Sequence, residues 1–422
     1  MKLTWPSGVF PAADRRLTTV PSSLHPVRTD LVIIGAGLAG AAAARSTAAR
    51  GASVVVLEQF APGNRNGSSH GSARIFRRAY PDPLYVRLTG QAWELWRELE
   101  AESGDTLLTM TGELDFGALR DPAGLHAVLT GCGVPAELLP PHEASRRWPQ
   151  FDFTGTGPVL FHQNAGVLDP DRTIAALLRL ATADGADVRF GTRVTGLAAG
   201  GDGAVVRAVT AGGQESFTAP AVVVAAGAWT APLLDGLVRL PPLTVTKQAV
   251  FHFAPAQPQA ATLQKAQRTA QPETQAAAGR AKPPWPVFIA ADETDFCYGL
   301  PGGRDGGVPG AIKVGEHHPG TVTTAAGRDF HVDEAARARV AGFARRRLPG
   351  LDPAPVNETT CLYTWTANED FILDRQGPFV VASPCSGHGA KFAPLLGEVI
   401  ADLAAGKPPP DARFTLAAHL AG

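Results

Sequence analysis

The hydrophobic pattern near the start of the chain alternates between short apolar runs and a stretch of small residues. Leu31–Ile34 is an uninterrupted apolar run, which is typical of a parallel strand buried on both faces. Residues 41–49 are rich in alanine, the strongest helix former, and Gly51 is placed to end that helix. A second apolar run covers residues 53–57. The order strand, helix, strand predicts a parallel βαβ unit.

The same periodicities predict further elements along the chain. We expect helices over 85–103, 171–183 and 334–348, and strands over 187–190, 193–195, 221–226, 288–300 and 310–315. Trp93 and Trp96 fall on the apolar stripe of the first of these helices and are interpreted as core residues. The helix over 334–348 is rich in arginine, and its simplest interpretation is a solvated face.

A glycine motif links the first strand to the first helix. Gly35, Gly37 and Gly40 have the G-x-G-x-x-G spacing that allows a tight turn, close approach of the backbone to a pyrophosphate, and close helix–strand packing. Glu58 ends the second strand, where an acidic side chain accepts the ribose hydroxyls of a dinucleotide. The motif predicts a bound dinucleotide but does not separate NAD from FAD, and a ligand-free Gly-Ala loop is the alternative.

Composition limits the classes of partner. The formal net charge of the 422 residues is −1, so there is no basic footprint for nucleic acid. The four cysteines lack paired metal-type spacing and do not form a disulfide pattern, which favours no metal site and a reduced, cytoplasmic protein. No apolar stretch approaches the roughly 20 residues of a membrane span, and we expect neither a membrane segment nor secretion.

The strands near the dinucleotide occur early, in the middle and late in the chain, which predicts an α/β fold with a discontinuous cofactor domain. The predicted units are a loose extension (1–28), a Rossmann-like cofactor domain (29–110, 166–242 and 352–418), and a substrate domain (111–165 and 243–351) on a mixed, largely antiparallel sheet. Residues 254–286 are rich in Ala, Gln, Pro and Thr and are interpreted as a flexible insertion, with a lid over the substrate entrance as the alternative.

Two further motifs decide the class of protein. The first is Gly67-Ser-Ser-His70-Gly-Ser-Ala-Arg74-Ile-Phe-Arg77, and the second runs from Thr360-Cys361-Leu-Tyr363-Thr-Trp365 to Cys385-Ser-Gly-His388-Gly-Ala-Lys391. With these motifs in this order, the chain resembles, over roughly residues 28–418, the monomeric sarcosine oxidase family. That family includes N-methyltryptophan oxidase and lies within the D-amino-acid-oxidase-like FAD oxidoreductases.

The resemblance implies a cofactor and its contacts. The dinucleotide would be FAD, joined through a thioether between Cys361 and the 8α-methyl group of the flavin, with His70 and Arg74 against the isoalloxazine. The further cofactor contacts that it implies are Gly35, Gly37, Gly40, Glu58, Ser69, Gly387, His388, Gly389 and Lys391. Cys361 as an ordinary buried thiol stays open as an alternative, and His388 is interpreted as shaping its turn. Cys132, Cys297 and Cys385 are interpreted as packing residues.

The resemblance also implies a substrate site. Arg77 and Lys391 would bind the substrate carboxylate, since a guanidinium fork and an ammonium both suit that group. Lys313 would be the site where oxygen reacts, and His317 would lie near the amine, with His318 beside it. Tyr298 and Tyr363 would line the pocket wall, and Arg74 and His70 would lie near the reacting atoms. Trp365 would bind the substrate and share a strand face with Cys361.

Each of these assignments has a structural alternative. Arg74 and Arg77 could pair with surface acids, and Lys313 could face solvent. Trp365 could stack on the flavin or shrink the pocket, which would favour a flat cyclic imino acid. Trp365, the long insertion and Cys385 all depart from the family pattern.

The expected function is therefore a covalent-FAD amine oxidase. It would oxidise sarcosine or another N-methyl amino acid with O₂ to an imine and hydrogen peroxide, and hydrolysis of the imine would follow. The alternatives are an oxidase of a cyclic imino acid such as pipecolate or proline, a flavin dehydrogenase with another acceptor, and a flavin-bearing binding subunit. The expected partners are the small amino acid and O₂, with the protein as a monomer.

Overall fold

The computed structural model describes residues 26–201, 203–256, 284–317 and 320–421. The expectations for most of the N-terminal extension, for most of the insertion, and for His318 lie outside the described residues. The predicted helices and strands outside those segments are present with shifted boundaries, except that the strand predicted over 288–300 is a hairpin of two strands, Val287–Ala291 and Phe296–Pro301.

Nine α-helices are described, numbered in chain order. They are α1 (Leu38–Ala48), α2 (Pro83–Ser103), α3 (Pro122–Gly131), α4 (Pro141–Arg147), α5 (Pro170–Ala183), α6 (Thr230–Leu234), α7 (Glu334–Arg347), α8 (Ala393–Ala404) and α9 (Leu416–Ala421). Aspartates cap several of them: the side chain of Asp82 accepts from the backbone N–H of Leu84 at the start of α2, and Asp169 accepts from Arg172 at the start of α5.

The strands within the described residues are also numbered in chain order. They are β1 (Val27–Arg28), β2 (Leu31–Ile34), β3 (Val54–Glu58), β4 (Arg74–Phe76), β5 (Leu108–Met110), β6 (Glu113–Phe116), β7 (Glu137–Leu139), β8 (Val159–His162), β9 (Gly166–Leu168), β10 (Asp187–Phe190), β11 (Arg193–Gly200), β12 (Gly203–Thr210), β13 (Gly213–Ala219), β14 (Ala221–Val224), β15 (Thr244–Pro255), β16 (Val287–Ala291), β17 (Phe296–Pro301), β18 (Ile312–Glu316), β19 (Thr321–Val322), β20 (Leu351–Trp365), β21 (Ile372–Gln376) and β22 (Phe379–Ser383).

A six-stranded sheet in the order β10-β3-β2-β14-β22-β21 carries the glycine turn. Its strands pair in parallel except β21, which is antiparallel to β22. Leu31 and Ile33 pack with the helical core of α1, α2, α5 and α8 on one face, whereas Val32 and Ile34 pack on the other. Because both faces are covered, β2 is apolar throughout.

The second face is covered by an antiparallel unit that the sequence analysis missed. Strands β11, β12 and β13 form two hairpins, and Val206 and Phe217 pack against the central sheet. β1 pairs in parallel with β13, so Val27 and Arg28 belong to a sheet and not to a loose extension.

A nine-stranded sheet in the order β19-β15-β18-β17-β16-β6-β8-β7, with β20 paired to β15, forms the other large layer. Only β16 and β6 pair in parallel, so the sheet is mixed and largely antiparallel. The α/β fold class with these two kinds of sheet is confirmed. The predicted cofactor domain includes residues 352–418, yet β20 joins the nine-stranded sheet. The domain boundaries themselves stay a prediction.

Helix α7 has the solvated arginine face that the sequence predicts, and it also has a buried face. Val340 and Phe343 are buried in the core beneath the nine-stranded sheet. Its arginines form ion pairs with carboxylates of neighbouring elements, namely Arg337 with Glu358, Arg339 with Glu316, Arg346 with Asp295 and Arg347 with Asp292. The arginines therefore fasten the helix to its surroundings. At the end of the predicted insertion, the ring of Trp285 lies 4.8 Å from that of Phe151, so this residue is packed.

Candidate functional site

The glycine turn opens onto a cavity of about 600 Å³ at the carboxyl end of β2, which we call the large cavity. Gly35, Gly37, Glu58 and Ser69 line it. Gly35 has φ +98°, and a Cβ added at Gly40 would lie 1.9 Å from the carbonyl oxygen of Gly35. Only glycine fits these two positions, and the free backbone faces the cavity. An elongated dinucleotide fits this cradle.

Glu58 is held at the edge of the large cavity by the backbone. Its carboxylate accepts from the N–H groups of Ala36 and Phe60, both at 2.9 Å. Ser69 accepts from the N–H of Leu38 at 3.2 Å, which ties the loop after β3 to the start of α1. The acid, the glycine turn and the N-terminus of α1 therefore meet at one cavity, as the dinucleotide prediction requires.

Cys361 lies near the wall of the large cavity. Its Sγ is 3.6 Å from the carbonyl oxygen of Ser68, which lines that cavity, and 3.6 Å from Nη2 of Arg74. A neighbouring guanidinium stabilises a thiolate, the form in which cysteine acts as a nucleophile. His70 is buried nearby, and burial followed by the charge of Arg74 lowers its pKa to about 2, so the ring is neutral.

A second cavity of about 110 Å³, the small cavity, lies among the residues assigned to the substrate. Nine predicted site residues line it: Arg74, Arg77, Tyr298, Lys313, His317, Tyr363, Gly387, His388 and Lys391. Strands β4, β17, β18 and β20 and the turn after β22 bring these residues together from distant parts of the chain. Cys361, His70, Gly40, Gly389 and Trp365 lie outside the lining of both cavities.

Lys313 is buried on β18 and does not face solvent. Its Nζ donates to the carbonyl oxygen of Ala73 at 3.0 Å, and the residue is 4% exposed. Burial, followed by the nearby charge of Arg74, lowers its pKa to about 7. Lys313 is thus a buried group whose charge changes near neutral pH.

Arg77 and Lys391 face the small cavity without carboxylate partners among the described residues. The guanidinium of Arg77 stacks over the ring of Tyr80 at 4.0 Å and donates to the carbonyl oxygen of Ala79. Nζ of Lys391 donates to the carbonyl oxygen of His388 at 2.6 Å. Burial, followed by the charge of Arg77, holds the pKa of Lys391 well below its usual range. An anion bound here would stabilise the protonated, charged form of Lys391.

Two tyrosines form one wall of the small cavity, and two glycines make room for them. A Cβ at Gly315 would lie 2.7 Å from the hydroxyl of Tyr298, and a Cβ at Gly387 would lie 2.5 Å from the ring of Tyr363. Burial is the first cause of a raised pKa in both tyrosines. Both phenols stay protonated and can donate.

Trp365 lies behind this wall. Its indole N–H donates to Oγ1 of Thr246 at 2.7 Å, and its ring is 5.5 Å from Tyr363 and 5.7 Å from His317. Burial and then the charge of Arg77 lower the pKa of His317 to about 4, so this imidazole is neutral. A direct role of Trp365 in substrate binding stays a prediction.

The turn after β22 is built tightly. Nδ1 of His388 lies 3.1 Å from the hydroxyl of Tyr80, and its ring stacks on Phe371 at 4.7 Å. A Cβ at Gly389 would lie 1.7 Å from the carbonyl oxygen of Pro384, which explains that glycine. Sγ of Cys385 accepts from the N–H of Thr364 at 3.3 Å, which fastens the turn to β20. His388 shapes this turn as expected and also lines the small cavity.

Sequence reasoning missed two arginines near the site. Arg328 precedes α7 and is 7% exposed, and Arg120 lines the small cavity. Neither belongs to the motifs that drew attention to the other residues, and arginine in a loop ordinarily indicates a solvated surface. For Arg120, the unusual acids Glu113 and Asp115 on an otherwise apolar strand were an available signal.

Comparison with known proteins agrees with this geometry. Residues 30–403 match the family model described as FAD dependent oxidoreductase. The chain belongs to this family of FAD-dependent oxidoreductases. The predictions of FAD as cofactor and of an oxidoreductase are therefore confirmed.

Relatives within the family of FAD-dependent oxidoreductases include sarcosine oxidases. The chain is 34% identical to the monomeric sarcosine oxidase of Streptomyces avermitilis over 383 residues, covering 89% of this chain and 93% of the relative. It is 29% identical to the N-methyl-L-tryptophan oxidase of Yersinia pestis, covering 90% and 96%. The family resemblance drawn from the motifs is confirmed.

Solved structures extend the comparison. NikD, described as an unusual amino acid oxidase essential for nikkomycin biosynthesis, superposes with a TM-score of 0.76 at 27% identity, covering 92% of this chain and 96% of NikD. Among the helices that the structure describes, none has the length and apolar composition needed to cross a membrane.

Proposed function

We propose that this protein oxidises the C–N bond of a secondary amino acid, with O₂ as acceptor, using FAD attached through Cys361. The observation that carries the proposal is the small cavity, where Arg77 and Lys391, which have no carboxylate partner among the described residues, face the same space as the buried Lys313. An anion-binding pair and a buried lysine together suit an amino-acid oxidase, whereas a binding subunit needs neither. Relatives named as oxidases of sarcosine and N-methyl-L-tryptophan support it.

Residues of the small cavity would have separate roles in binding the substrate and excluding water. Arg77 and Lys391 would hold the substrate carboxylate, and each charge-assisted contact contributes roughly 1.5–3 kcal/mol, which selects amino acids over plain amines. His317 is neutral and borders the same cavity, so it can hydrogen-bond the substrate amine. Tyr298 and Tyr363, which line the small cavity, would help to close it against water.

The cofactor would be held by the residues of the large cavity and by Cys361. The glycine turn, Glu58 and Ser69 fit the dinucleotide portion, and Nη2 of Arg74 lies 3.6 Å from Sγ of Cys361, which places a positive charge beside the sulfur. FAD bound there would accept a hydride from the substrate and deliver the electrons to oxygen. Lys313 would stabilise the anion formed when oxygen takes its first electron.

A second candidate substrate is a cyclic imino acid. Trp365 contacts both Tyr363 and His317 and thereby narrows the region behind the small cavity. A flat ring would suit such a cavity better than a branched side chain. Both candidate substrates, an N-methyl amino acid and a cyclic imino acid, would be oxidised to an imine that is then hydrolysed by water.

A substrate screen with a peroxide readout tests the reaction. We expect stoichiometric hydrogen peroxide from one or more secondary amino acids, with sarcosine, N-methyltryptophan, pipecolate and proline as the panel. Flavin reduction without peroxide would indicate a dehydrogenase. No reduction of the flavin by any secondary amino acid would contradict the proposed activity.

Acid precipitation tests the covalent link. The wild-type pellet should stay yellow, whereas the pellet of Cys361→Ala should lose its colour to the supernatant. Cys132→Ala is the matched control. Cys132 is a half-buried cysteine at the end of helix α3, and this variant should keep a yellow pellet. A colourless wild-type pellet would end the covalent assignment.

A further inference from the structure

The wall of the small cavity contains one more cation than the proposed function uses. Arg120, in the 3₁₀ turn Ala118–Arg120, lines this cavity together with Arg77 and Lys391. Within the described part of the chain, no carboxylate joins that lining. The space in front of these three side chains is therefore lined by donors of positive or basic character and by no acid.

Arg120 is fixed from behind by a buried acid. Its Nε donates to Oδ1 of Asp115, whose side chain is 0% exposed. Beside it, Glu113 accepts from or shares a proton with Nε2 of His162 at 2.7 Å, and both of these side chains are fully buried. Two carboxylates buried beneath a pocket are costly unless they are paired. Asp115 is paired with Arg120 and Glu113 with His162, so it is Asp115 that holds the guanidinium in place.

Glu113, Asp115 and His162 are residue types that can form a small metal site, but the guanidinium of Arg120 already supplies a positive charge there. Ligand atoms of Glu113, Asp115 and His162 lie within 4.8 Å of one another. The guanidinium of Arg120 contacts Asp115 directly, so a divalent cation added there would be repelled by it. The cluster is better explained as the support of Arg120.

Arg120 and Arg77 meet at a single carbonyl oxygen. Nη2 of Arg120 donates to the carbonyl of Ala79 at 3.1 Å, and Nη1 of Arg77 donates to the same atom. Two guanidinium groups this close repel each other, and Asp115 compensates only one of them. Nη1 of Arg120 has no hydrogen-bond partner among the described residues and remains available to a ligand.

We propose that the substrate carries a second acid group, which Arg120 binds while Arg77 and Lys391 hold the α-carboxylate. The substrate class is an N-alkyl amino dicarboxylate, with N-methyl-L-aspartate as a compact member suited to a cavity of about 110 Å³. This inference rests on the proposed function, because it names the substrate of the same site. The α-carboxylate would pair with Arg77 and favour the charged form of Lys391, and the second acid group would use the nitrogen of Arg120 that has no partner among the described residues.

The first test uses the unaltered holoenzyme and two nearly isosteric substrates. N-methyl-L-aspartate and N-methyl-L-asparagine differ by one charge, and their rates of anaerobic flavin bleaching can be compared with that of sarcosine. We expect kcat/KM for the diacid to exceed that for the amide by roughly tenfold or more. If kcat/KM is equal for the diacid and the amide while sarcosine is oxidised, this inference is overturned and the proposed function is not. Failure of every secondary amine to bleach the flavin overturns the proposed function and this inference with it.

The second test measures a ratio of specificities in variants. Arg120→Gln should lower the diacid-to-sarcosine ratio of kcat/KM by roughly tenfold, mainly through KM for the diacid. Arg120→Lys keeps the charge and should restore part of the ratio. Arg77→Gln, the matched control, should weaken both substrates and leave the ratio near its original value. An unchanged ratio in Arg120→Gln overturns the inference, and the substrate pair above decides the question if that variant does not fold.

Discussion

Burial and neighbouring positive charges lower the pKa of several side chains around the small cavity. The pKa of His317 falls to about 4 and that of Lys313 to about 7, with burial as the first cause in both. The imidazole is therefore neutral at physiological pH, whereas the lysine is partly charged. Such groups at one cavity are typical of sites that move charge during a reaction.

Replacing Lys313 with methionine should slow reoxidation by oxygen. Methionine keeps the length of the buried side chain and removes its charge. A cation about 4 Å from a developing anion stabilises it by ~4 kcal/mol at an effective dielectric near 20, or about a thousandfold in rate. Stopped-flow mixing of reduced enzyme with oxygen measures the effect, and anaerobic reduction by substrate should change far less. Lys407→Met, at an exposed ion pair with Asp402, is the control. Unchanged oxygen kinetics would remove the role assigned to Lys313.

The lowered pKa of Lys313 gives the oxygen reaction a pH dependence. A lysine is charged below its pKa, so the stabilising cation is present below about pH 7 and is lost as the pH rises through that value. We expect the rate of reoxidation to fall through this range in the wild type. In Lys313→Met the same step should disappear. A wild-type rate that rises with pH in this range would contradict the assignment.

At the scale of elements, the glycine turn shows how backbone geometry fixes a site. Gly40 lies in the first turn of α1, and its missing side chain lets the helix approach the carbonyl of Gly35. Gly51 follows the same helix with φ +83°, but a Cβ there would have no atom within 4 Å. Gly40 is required because there is no space for a side chain, whereas Gly51 is favoured because of its backbone conformation.

Gly40→Ala should impair FAD binding much more than Gly51→Ala. The added methyl of Gly40→Ala collides with the Gly35 carbonyl, so helix and strand must separate, at a cost of about 1–3 kcal/mol or more. Gly51→Ala costs about 1–2 kcal/mol of backbone strain at a distance from the cavity. The ratio of flavin to protein absorbance in purified samples measures the difference. Equal flavin content in the two variants would contradict this explanation.

The sequence predicted elements well where one physical signal was strong. The apolar run of β2, the alanine-rich α1 and the glycine spacing were sufficient for the cofactor sheet. The prediction of β11 stopped at residue 195, because glycines and alanines dominate the rest of that strand. β12 was missed although its residues alternate between buried and half-buried positions, which is a pattern typical of a strand. The resemblance supplied the residues of the small cavity, since no local pattern joins Arg77 to Lys391.

At the scale of the whole molecule, Arg328 connects three distant segments. From the loop before α7, its Nη1 donates to the carbonyls of the 65–67 loop, including Asn66 at 3.0 Å. Its Nε donates to Oγ1 of Thr360 at 3.1 Å, next to Cys361 on β20. The arginine thereby fastens the loop beside the large cavity to the strand that bears the attachment cysteine.

Arg328→Met should lower both stability and covalent flavin content. Removing the guanidinium leaves several backbone carbonyls without donors, at a cost of about 2–4 kcal/mol, and frees the 65–67 loop from Cys361. Arg337→Met is the control, because the two hydrogen bonds of that arginine join it to Glu358 in an exposed ion pair, which is worth roughly 0–1 kcal/mol. Thermal unfolding reports stability, and the flavin retained in acid-precipitated protein reports attachment. A role in positioning predicts that Arg328→Met loses attached flavin at temperatures where it remains folded. If attachment is complete in the folded variant, Arg328 supports the fold without positioning Cys361.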